Sequence, residues 1–423
     1  MLYLDEANRC LSCKNPRCKQ HCPISTPIPE VIALYKEGKL KEAGEVLFKN
    51  NPLSLVCSIV CPHEDQCRGY CIKGIKDEPV RFHDIETEIS TKYLEEMEIE
   101  NTPKIKDRVA IVGGGPAGIT IAFILSQKGY KVTLFDAHEK IGGVLRYGIP
   151  EYRLPNKMID KIEERLLDSG VVIRPNTLIG PVITIDKLFS DGYKAIFIGT
   201  GVWNPKTLNI KGETLGNVHY AIDYLKSPNV YRLGKRVAVI GAGNVAMDAA
   251  RCAKRLGAEN VYIVYRRGEA ELPARLEEVE HAKEEGIIFK TLTNPVQFLD
   301  EDGWVSGVEC VEMELGEPDE SGRRRPIVKE GSNFVLDIDC AIMAIGTSPN
   351  PLIRSTTKGL ETNKRGCLIT EEETGLTTRE GVYAGGDAVT GAATVILAMG
   401  AGKKAAVAMD EYIKSKSEAA CTQ

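Results

Sequence analysis

The sequence lacks a long apolar segment and has few aromatic residues. Aromatic residues make up 6% of its 423 residues, and no apolar run approaches the roughly 18 residues that a membrane-spanning helix needs. The N-terminal segment MLYLDEANRCLSC also lacks the apolar core of a signal peptide, because acidic and polar residues interrupt it. We therefore expect a cytoplasmic protein with no membrane association.

An excess of charge of one sign is missing as well. The 54 Lys and Arg residues stand against 59 Asp and Glu residues, and the resulting net charge of −5 does not favour a nucleic acid partner. The 6 His residues form no catalytic triad and no metal-ligand pattern. A composition of 43% hydrophobic and 27% charged residues excludes a mainly disordered chain. The length suits two or three domains of about 100–200 residues each.

Cysteine is abundant, and it is concentrated near the start of the chain. Eight of the 13 Cys residues form two runs, Cys10-x2-Cys13-x4-Cys18-x3-Cys22-Pro and Cys57-x3-Cys61-Pro-x4-Cys67-x3-Cys71. In a reducing compartment such a cluster favours metal binding over disulfides. Short spacings and Cys-Pro endings are typical of iron–sulfur proteins, and eight thiolates suit two clusters. Structural zinc and inert cysteines are the alternatives, although zinc sites usually show two matched Cys pairs.

The remaining cysteines provide no redox-active pair. They are scattered at Cys252, Cys310, Cys340, Cys367 and Cys421. We expect the first four to be small core residues and the last to lie in an exposed tail. Disulfide reductases with two dinucleotide domains carry a Cys-x-x-Cys pair in the body, whereas here the only such pair is Cys10–Cys13. If the protein transfers electrons, we therefore expect them to leave through the N-terminal segment that carries both cysteine runs, residues 10–71, which we call the head.

A strand–glycine turn–helix unit follows the head. A strand is predicted at Arg108–Val112, and it leads through Gly113-x-Gly115-x-x-Gly118 into a helix and a second strand that ends before Asp136. The glycines permit a tight turn and close approach of a pyrophosphate, and an acid at this place accepts a hydrogen bond from a ribose hydroxyl. The unit predicts a dinucleotide site.

The same arrangement returns later with one change. Gly241-x-Gly243-x-x-Ala246 follows a predicted strand at Arg236–Ile240, but Arg266 stands where the ribose-binding acid is expected. An arginine there accommodates a 2′-phosphate, which favours NADP(H) over NAD(H). A solvated basic pair, Arg266 and Arg267, is the alternative. Residues 316–325 are predicted to form a charged hairpin tip or loop, with no assigned function.

Over essentially its whole length the sequence resembles a known redox module. The module contains FAD and iron–sulfur clusters, oxidises NADPH, and is shared by the glutamate synthase small subunit, dihydropyrimidine dehydrogenase and the large subunit of NADH-dependent ferredoxin:NADP oxidoreductase. The matching stretches are CLSCKNPRCKQHCP, NNPLSLVCSIVCPHEDQCRGYC, VAIVGGGPAGI, IGGVLRYGIPEYRLP, VIGAGNVAMDAAR, VYRRGEAELPARLEEVEHAKEEG, AIGTSPN and VYAGGDAVTGAATV. The spacing between Cys61 and Cys67 is longer than is usual in glutamate synthase small subunits and is closer to the other two branches.

The resemblance implies an α/β protein with an N-terminal α-helical double [4Fe–4S] domain and two Rossmann-like dinucleotide-binding domains. It places the iron–sulfur domain at residues 1–103. The FAD-binding domain is expected at residues 104–222 and 335–423, and the NADP(H)-binding domain is inserted in it at residues 223–334.

The resemblance also implies the site residues. One cluster is expected on Cys10, Cys13, Cys18 and Cys71, and the other on Cys22, Cys61, Cys67 and Glu86, with Cys57 left unligated. For Glu86 an ordinary solvated carboxylate is the alternative. The implied FAD residues are Gly113, Gly115, Pro116, Ala117, Gly118, Asp136, Gly142, Gly143, Arg153, Gly386, Asp387, Thr394 and Val395. The implied NADP(H) residues are Asn244, Val245, Ala246, Arg266, Arg267, Arg275 and Gly346.

The implied function is that of an NADPH-dependent iron–sulfur flavoprotein oxidoreductase subunit. Hydride passes between nicotinamide and flavin, a step that needs no general acid or base. Single electrons then pass between FAD and the two clusters, to or from a partner redox subunit with FMN or iron–sulfur centres, or a ferredoxin. Two alternatives stay open: a self-contained NADPH:ferredoxin diaphorase, and a zinc-stapled NADP(H)-binding regulatory protein.

Overall fold

A computed structural model describes residues 1–97, 102–320 and 322–421, with side chains up to residue 418. It divides the chain into two compact units. The first comprises Met1–Arg146, Glu151–Val202 and Ser348–Gln423, and the second comprises Tyr147–Pro150 and Trp203–Thr347. Within the described ranges, no helix combines the length and the apolar character that crossing a membrane would require.

The secondary structure alternates between helices and strands after an all-helical start. The helices are α1 Leu4–Asn8, α2 Arg17–Gln20, α3 Ile28–Lys36, α4 Leu40–Asn50, α5 Ser54–Val60, α6 Phe82–Glu96, α7 Pro116–Gln127, α8 Val144–Tyr147, α9 Asn156–Asp168, α10 Ile185–Ser190, α11 Ala221–Tyr224, α12 Asn244–Arg255, α13 Leu276–Glu284, α14 Leu352–Thr356, α15 Asp387–Thr390 and α16 Val395–Cys421. The strands are β1 Arg108–Val112, β2 Lys131–Phe135, β3 Val172–Arg174, β4 Tyr193–Ile198, β5 Asn204–Pro205, β6 Val218–Tyr220, β7 Arg236–Ile240, β8 Asn260–Val264, β9 Ile288–Lys290, β10 Thr293–Glu301, β11 Trp304–Pro318, β12 Arg324–Val328, β13 Phe334–Asp337, β14 Cys340–Met343, β15 Thr347–Ser348 and β16 Val382–Ala384.

The helical head of the first unit forms around its own apolar core. Apolar residues at helical spacing give α3 and α4 one buried face each. These faces meet α6 in a cluster that includes Val31, Ile32, Leu47, Ile85 and Ile89. Helix α6 also joins α5 through hydroxyl pairs, because Ser54 and Ser90 lie 2.9 Å apart and Thr87 donates to Ser58 over 2.8 Å. The cysteine-bearing segments are thereby held against a rigid helix.

The rest of the first unit is built on a parallel sheet in the order β16-β4-β1-β2-β3. Its strands are short apolar runs, and four of the five residues of β1 and β2 are buried. Strand β1 lies between β2 and β4, so the strand order reverses on either side of it. In open parallel sheets a ligand binds at such a switch point, beyond the carboxyl ends of the strands.

The second unit repeats this plan with the parallel order β6-β14-β7-β8-β9, and β10–β13 form an antiparallel sheet. Strands β6 and β14 pair within this second parallel sheet, so the unit built on it extends before residue 223 and after residue 334. The predicted limits of the three domains stay predictions.

The expectation for the scattered cysteines is confirmed where the structure describes them. Cys252, Cys310, Cys340 and Cys367 are buried and form no disulfide. Cys421 lies outside the residues whose side chains are described. Small apolar side chains of this kind fill helix and sheet cores.

Candidate cofactor sites

The four cysteines expected to hold the first cluster line one cavity. Cys10, Cys13, Cys18 and Cys71 surround a space of about 490 Å³, counting the part that opens to solvent. Cys67 also lines it, and the remaining wall is largely apolar, with Ile28, Ile32, Val80 and Phe82 among its members. The residues brought together here come from segments more than forty residues apart in the sequence.

The chemistry of these thiols suits a bound cationic group. Burial raises the pKa of Cys10, and it raises the pKa of Cys18 to about 11. A buried thiol is neutral at pH 7 unless a neighbouring positive centre stabilises its thiolate, and a coordinated metal does so. Among the described side chains, no three His, Cys, Asp or Glu residues are grouped to hold one isolated metal ion. The first set encloses a cavity, which fits a cluster.

The second predicted set gathers deeper in the head, around Glu86. This side chain is only 6% exposed, and within the described residues its carboxyl group accepts no hydrogen bond. It interacts electrostatically with Cys61 and Cys67, and Cys67 interacts with Cys22. Burial raises the pKa of Glu86 well above its ordinary value, and the Cys57 thiol adds to the rise.

A buried carboxyl without a hydrogen-bond partner is costly, and iron coordination would offset the cost. The structure therefore argues against a solvated surface carboxylate at Glu86. The donor set of three thiols and one carboxylate fits the second cluster, and the assignment of each ligand stays a prediction.

Cys57 lies next to the second set although it was expected to be no ligand. It precedes Cys61 by one turn of helix, and the peptide N–H of Cys61 donates to the carbonyl oxygen of Cys57 over 3.1 Å. The Cys57 thiol has hydrogen-bond partners in the side chains of Cys61 and Asn51. That hydrogen bond and burial raise the pKa of Cys61 well above its ordinary value.

Two serine variants should separate the roles of this pair. Protein purified without oxygen is expected to contain about eight irons, as two cubane clusters require. Cys61→Ser should reduce the iron content by about half, whereas Cys57→Ser should leave it unchanged. Iron and acid-labile sulfide analysis measures both. Loss of iron from Cys57→Ser would make Cys57 a ligand, and stoichiometric zinc without sulfide would contradict both clusters.

The first glycine turn has the geometry that a dinucleotide needs. Gly113 has a φ of +102°, and a Cβ atom there would lie 2.5 Å from the carbonyl oxygen of Gly199. A Cβ atom on Gly118 would lie 1.9 Å from the carbonyl oxygen of Gly113, so this glycine allows the helix to approach the turn. A Cβ atom on Gly115 would meet nothing within 4 Å. The open space beside Gly115, at the N-terminus of α7, suits a pyrophosphate.

The Asp136 carboxylate lies beside this turn and also accepts a hydrogen bond from it. The N–H of Gly114 donates to Oδ2 of Asp136 over 2.6 Å, and the N–H of His138 donates to Oδ1 over 2.8 Å. The His138 ring lies 3.1 Å from the same Oδ1. The carboxylate thus holds the glycine turn in place, a role that the motif alone did not indicate. Oδ2, which accepts only the Gly114 N–H among the contacts above, retains a second lone pair for a ribose hydroxyl.

Three of the other expected flavin residues, Gly142, Gly143 and Gly386, lie beside the same turn. Gly142 donates its N–H to the carbonyl oxygen of Gly114 over 2.7 Å, and a Cβ atom on Gly143 would lie 2.9 Å from Gly115 Cα. Gly386 lies against Ala117 in the first turn of α7, which starts at Pro116. Arg153 is half-buried just before α9.

The last helix begins beside these residues. The Thr394 hydroxyl accepts from the N–H of Leu397 over 3.4 Å, so it caps α16, which starts at Val395. Burial raises the pKa of Asp387 to about 6, and the N–H of Ala393 partly opposes this rise. The positive end of a long helix favours negative charge, as on a reduced flavin.

The second glycine turn repeats the geometry in the second unit. A Cβ atom on Gly243 would meet nothing within 4 Å, and Asn244, Val245 and Ala246 begin α12. The N–H of Arg275 donates to Oδ1 of Asn244 over 2.9 Å, which places Arg275 beside the turn. Gly346 follows β14, and its carbonyl oxygen accepts from the N–H of Lys206 over 3.1 Å.

The two arginines after β8 have different environments. Arg266 is exposed and has no ion pair or hydrogen bond within the described residues. Arg267 is 8% exposed, and its guanidinium donates to Asp319 over 2.6 Å and to the carbonyl oxygen of Arg324 over 3.0 Å. Asp319 and Arg324, on either side of the turn between β11 and β12, therefore contact the Arg267 side chain. Of the two, Arg266 has the exposed side chain and Arg267 the paired one, and a contact between Arg266 and a 2′-phosphate stays a prediction.

Two family patterns match the sequence. The pattern described as pyridine nucleotide-disulphide oxidoreductase matches residues 107–411. The pattern described as dihydropyrimidine dehydrogenase domain II, 4Fe-4S cluster, matches residues 2–98.

Curated relatives are similar along nearly the whole chain. The chain is 36% identical to the NADP(+)-dependent formate dehydrogenase subunit beta of Moorella thermoacetica, over 94% of this chain and 60% of the relative. It is 35% identical to the glutamate synthase [NADPH] small chain of Escherichia coli, over 95% of this chain and 89% of the relative. It is 34% identical to the NADPH-Fe(3+) oxidoreductase subunit beta of Geobacter sulfurreducens, over 94% of this chain and 63% of the relative. The chain thus spans less than two thirds of the first and third of these proteins.

Solved structures show the same fold at low identity. Mycobacterium tuberculosis FprA in complex with NADPH is 19% identical with a TM-score of 0.64, covering 74% of this chain and 86% of that chain. The thioredoxin reductase of T. acidophilum is 21% identical with a TM-score of 0.56, covering 73% of this chain and 99% of that chain.

Proposed function

Because the chain belongs to the pyridine nucleotide-disulphide oxidoreductase family and carries a 4Fe-4S domain, we propose that it is the NADPH-oxidising, electron-transferring subunit of a larger reductase. The proposal names FAD, NADP(H) and two [4Fe–4S] clusters as its cofactors. Similar chains named as beta subunits or small chains of NADPH-linked enzymes support a partner subunit.

The observation that carries this proposal is the placement of both cysteine sets. They lie in the same compact unit as the first glycine turn, and no Cys-x-x-Cys pair exists in the body of the chain. Electrons that reach an FAD whose pyrophosphate binds this turn are therefore expected to leave through the head.

The residues divide the work between binding and positioning. When bound, FAD supplies the chemistry: it accepts hydride from NADPH and passes single electrons on. The Gly113–Gly118 turn and the N-terminus of α7 bind the pyrophosphate, and Asp136 holds the turn. Asp387 and the N-terminus of α16 are assigned to the flavin side of the cofactor. Asn244 and Arg275 order the second turn, and Arg266 selects NADPH.

Arg266 should account for most of the preference for NADPH. A charge-assisted hydrogen bond is worth about 1.5–3 kcal/mol, so Arg266→Ala should raise the KM for NADPH at least about tenfold and barely change that for NADH. Arg232→Ala, which removes an exposed arginine elsewhere in the second unit, is the control. Steady-state kinetics with both nucleotides measures the effect. An enzyme that prefers NADH before substitution would contradict the assignment.

The outer face of the first cysteine set suits an acidic partner. Residues 10–22 and 67–76 contain no Asp or Glu, and their cations are Lys14, Arg17, Lys19, Arg68, Lys73 and Lys76. The adjacent Asp77 pairs with Lys73 over 3.2 Å, so basic residues predominate without being the only charges. Leu11 and Ile75 on the same segments are 58% and 67% exposed. Exposed apolar residues on a surface with an excess of charge of one sign are typical of docking surfaces for a protein of opposite charge. We infer that an acidic electron carrier or subunit docks here.

Reversing this charge should slow electron delivery without affecting NADPH oxidation by the flavin. The double variant Lys14→Glu/Lys19→Glu is expected to lower kcat/KM for an acidic ferredoxin at least about tenfold at low salt, with a smaller loss at high salt. Lys41→Glu/Lys49→Glu on α4 makes the same charge change elsewhere. Equal losses in both double variants would rule out a specific face.

Full turnover with soluble ferredoxin alone would favour the self-contained diaphorase. A colourless, zinc-containing protein would favour the regulatory alternative. The proposed function itself is tested by adding NADPH to the anaerobic protein, since the visible absorption of flavin and clusters should both bleach. Bleaching of the flavin alone would contradict electron transfer through the head.

A further inference from the structure

A hydrogen-bond chain runs from the last helix to Cys22 in the head. Nζ of Lys403 donates to the carbonyl oxygen of Asn50 over 2.6 Å and to its Oδ1 over 2.9 Å. Nδ2 of Asn50 donates to Oγ1 of Thr26 over 3.2 Å, and Thr26 Oγ1 lies 3.2 Å from Cys22 Sγ. All four residues belong to the first compact unit.

The chemistry of the donors makes every hydrogen bond in this series donate in the same direction, from Lys403 toward Cys22. An ammonium group can only donate, so Lys403 fixes the Asn50 amide with its oxygen toward the lysine and its nitrogen toward Thr26. Since Thr26 Oγ1 already accepts from Asn50, its own proton is free to point at the sulfur. A thiolate that coordinates iron can only accept, so Thr26 would donate to Cys22.

The hydrogen-bond series lies inside the protein rather than on its surface. Thr26 and Cys22 are buried, and Lys403 is half-buried and interacts electrostatically with Cys22. Gly400, one turn earlier, lies close to Ile24, since a Cβ atom there would be 3.3 Å from that side chain. Helix α16 thus contacts the loop that carries Cys22 at Gly400, and it contacts the end of α4 at Lys403 through Asn50.

We propose that Lys403, acting through Asn50 and Thr26, raises the reduction potential of the second cluster and so draws electrons from the flavin into the head. The inference rests on the proposed function, because it needs a cluster on Cys22. Hydrogen bonds to sulfur and a nearby positive charge both stabilise the more negative reduced cluster. Lys403 lies about 12 Å along α16 from Val395 at about 1.5 Å per residue, so one helix links the two expected cofactor sites. Lys403 is a positioning residue and touches no substrate.

The test is a redox titration of the holoprotein followed by electron paramagnetic resonance. The signal that disappears in Cys61→Ser identifies the second cluster. Lys403→Met should make its one-electron reduction about tenfold less favourable, which equals a decrease of about 59 mV in midpoint potential. Thr26→Val should lower the potential in the same direction, and Lys403→Arg should restore most of the original value. The flavin and the first cluster should not change.

A matched control lies at the next residue. Lys404 is exposed and pairs with Glu373 over 3.4 Å. Lys404→Met therefore removes the same charge and leaves the hydrogen bonds between Lys403 and Cys22 unchanged. The double variant Lys403→Met/Thr26→Val should shift the potential less than the sum of the single variants, because both act on one sulfur. An unchanged potential in Lys403→Met or Thr26→Val with full iron content, or an equal shift in Lys404→Met, would overturn the inference. Absence of any cluster signal in the unsubstituted protein would instead overturn the proposed function.

Discussion

Replacing Glu86 with alanine is expected to stop electron delivery to a protein acceptor while flavin reduction by NADPH continues. The carboxyl group is buried and interacts with the thiols of Cys57, Cys61 and Cys67, and it has no hydrogen bond in the described part of the chain. Its removal would take away the proposed oxygen ligand of the second cluster, and oxygen ligation changes the potential of an iron–sulfur centre. We expect turnover with the acceptor to fall at least about a hundredfold, or about 2.7 kcal/mol in activation free energy.

Two controls make this result specific. Glu96→Ala removes an exposed carboxylate from the same helix, and it should change neither iron content nor turnover. Stopped-flow reduction of the flavin by NADPH should stay near normal in Glu86→Ala, because the first glycine turn is not altered. If Glu86→Ala keeps full turnover and an unchanged paramagnetic signal, the fourth ligand must be sought elsewhere, with Cys57 as the first candidate.

Alanine at the middle glycine of each turn should remove one nucleotide and leave the other. A Cβ atom at Gly115 or Gly243 has no neighbour within 4 Å, and both residues have a φ near −80°, which alanine tolerates. The protein should therefore fold normally in either variant. The added methyl group would occupy the space that the pyrophosphate needs.

We expect Gly115→Ala to lose bound FAD and Gly243→Ala to lose affinity for NADPH, each by at least about tenfold, or about 1.4 kcal/mol. Flavin content after purification and NADPH titration measure the two effects. Gly118→Ala is the contrasting case, because its Cβ atom would lie 1.9 Å from the carbonyl oxygen of Gly113. That variant should lower the thermal midpoint of the protein itself. If Gly115→Ala and Gly243→Ala weakened both nucleotides alike, the assignment of one nucleotide to each turn would be wrong.

The strands and glycine turns could be predicted because local patterns specify them. Strands β1 and β7 begin and end at the predicted residues, and β2 ends just before Asp136 as predicted. A short apolar run before a glycine turn has few other stable conformations. The charged segment 316–325 also falls where β11 ends and β12 begins, and these two strands pair antiparallel. The role of that segment could not be predicted, because Asp319 meets Arg267 only after the antiparallel sheet has formed.

By itself the sequence determined the chemistry available to this protein. Residue types and spacings supplied eight thiols in two runs, two glycine turns and an arginine in place of an acid. Only the tertiary structure decided which groups face each other: that Glu86 is buried beside Cys61, that Arg267 is occupied while Arg266 is exposed, and that Lys403 reaches Asn50. The physical reason is that spacing constrains neighbours along the chain. A buried carboxyl, an ion pair or a relay depends on the packing of distant segments, which apolar burial brings together without regard to their separation in sequence.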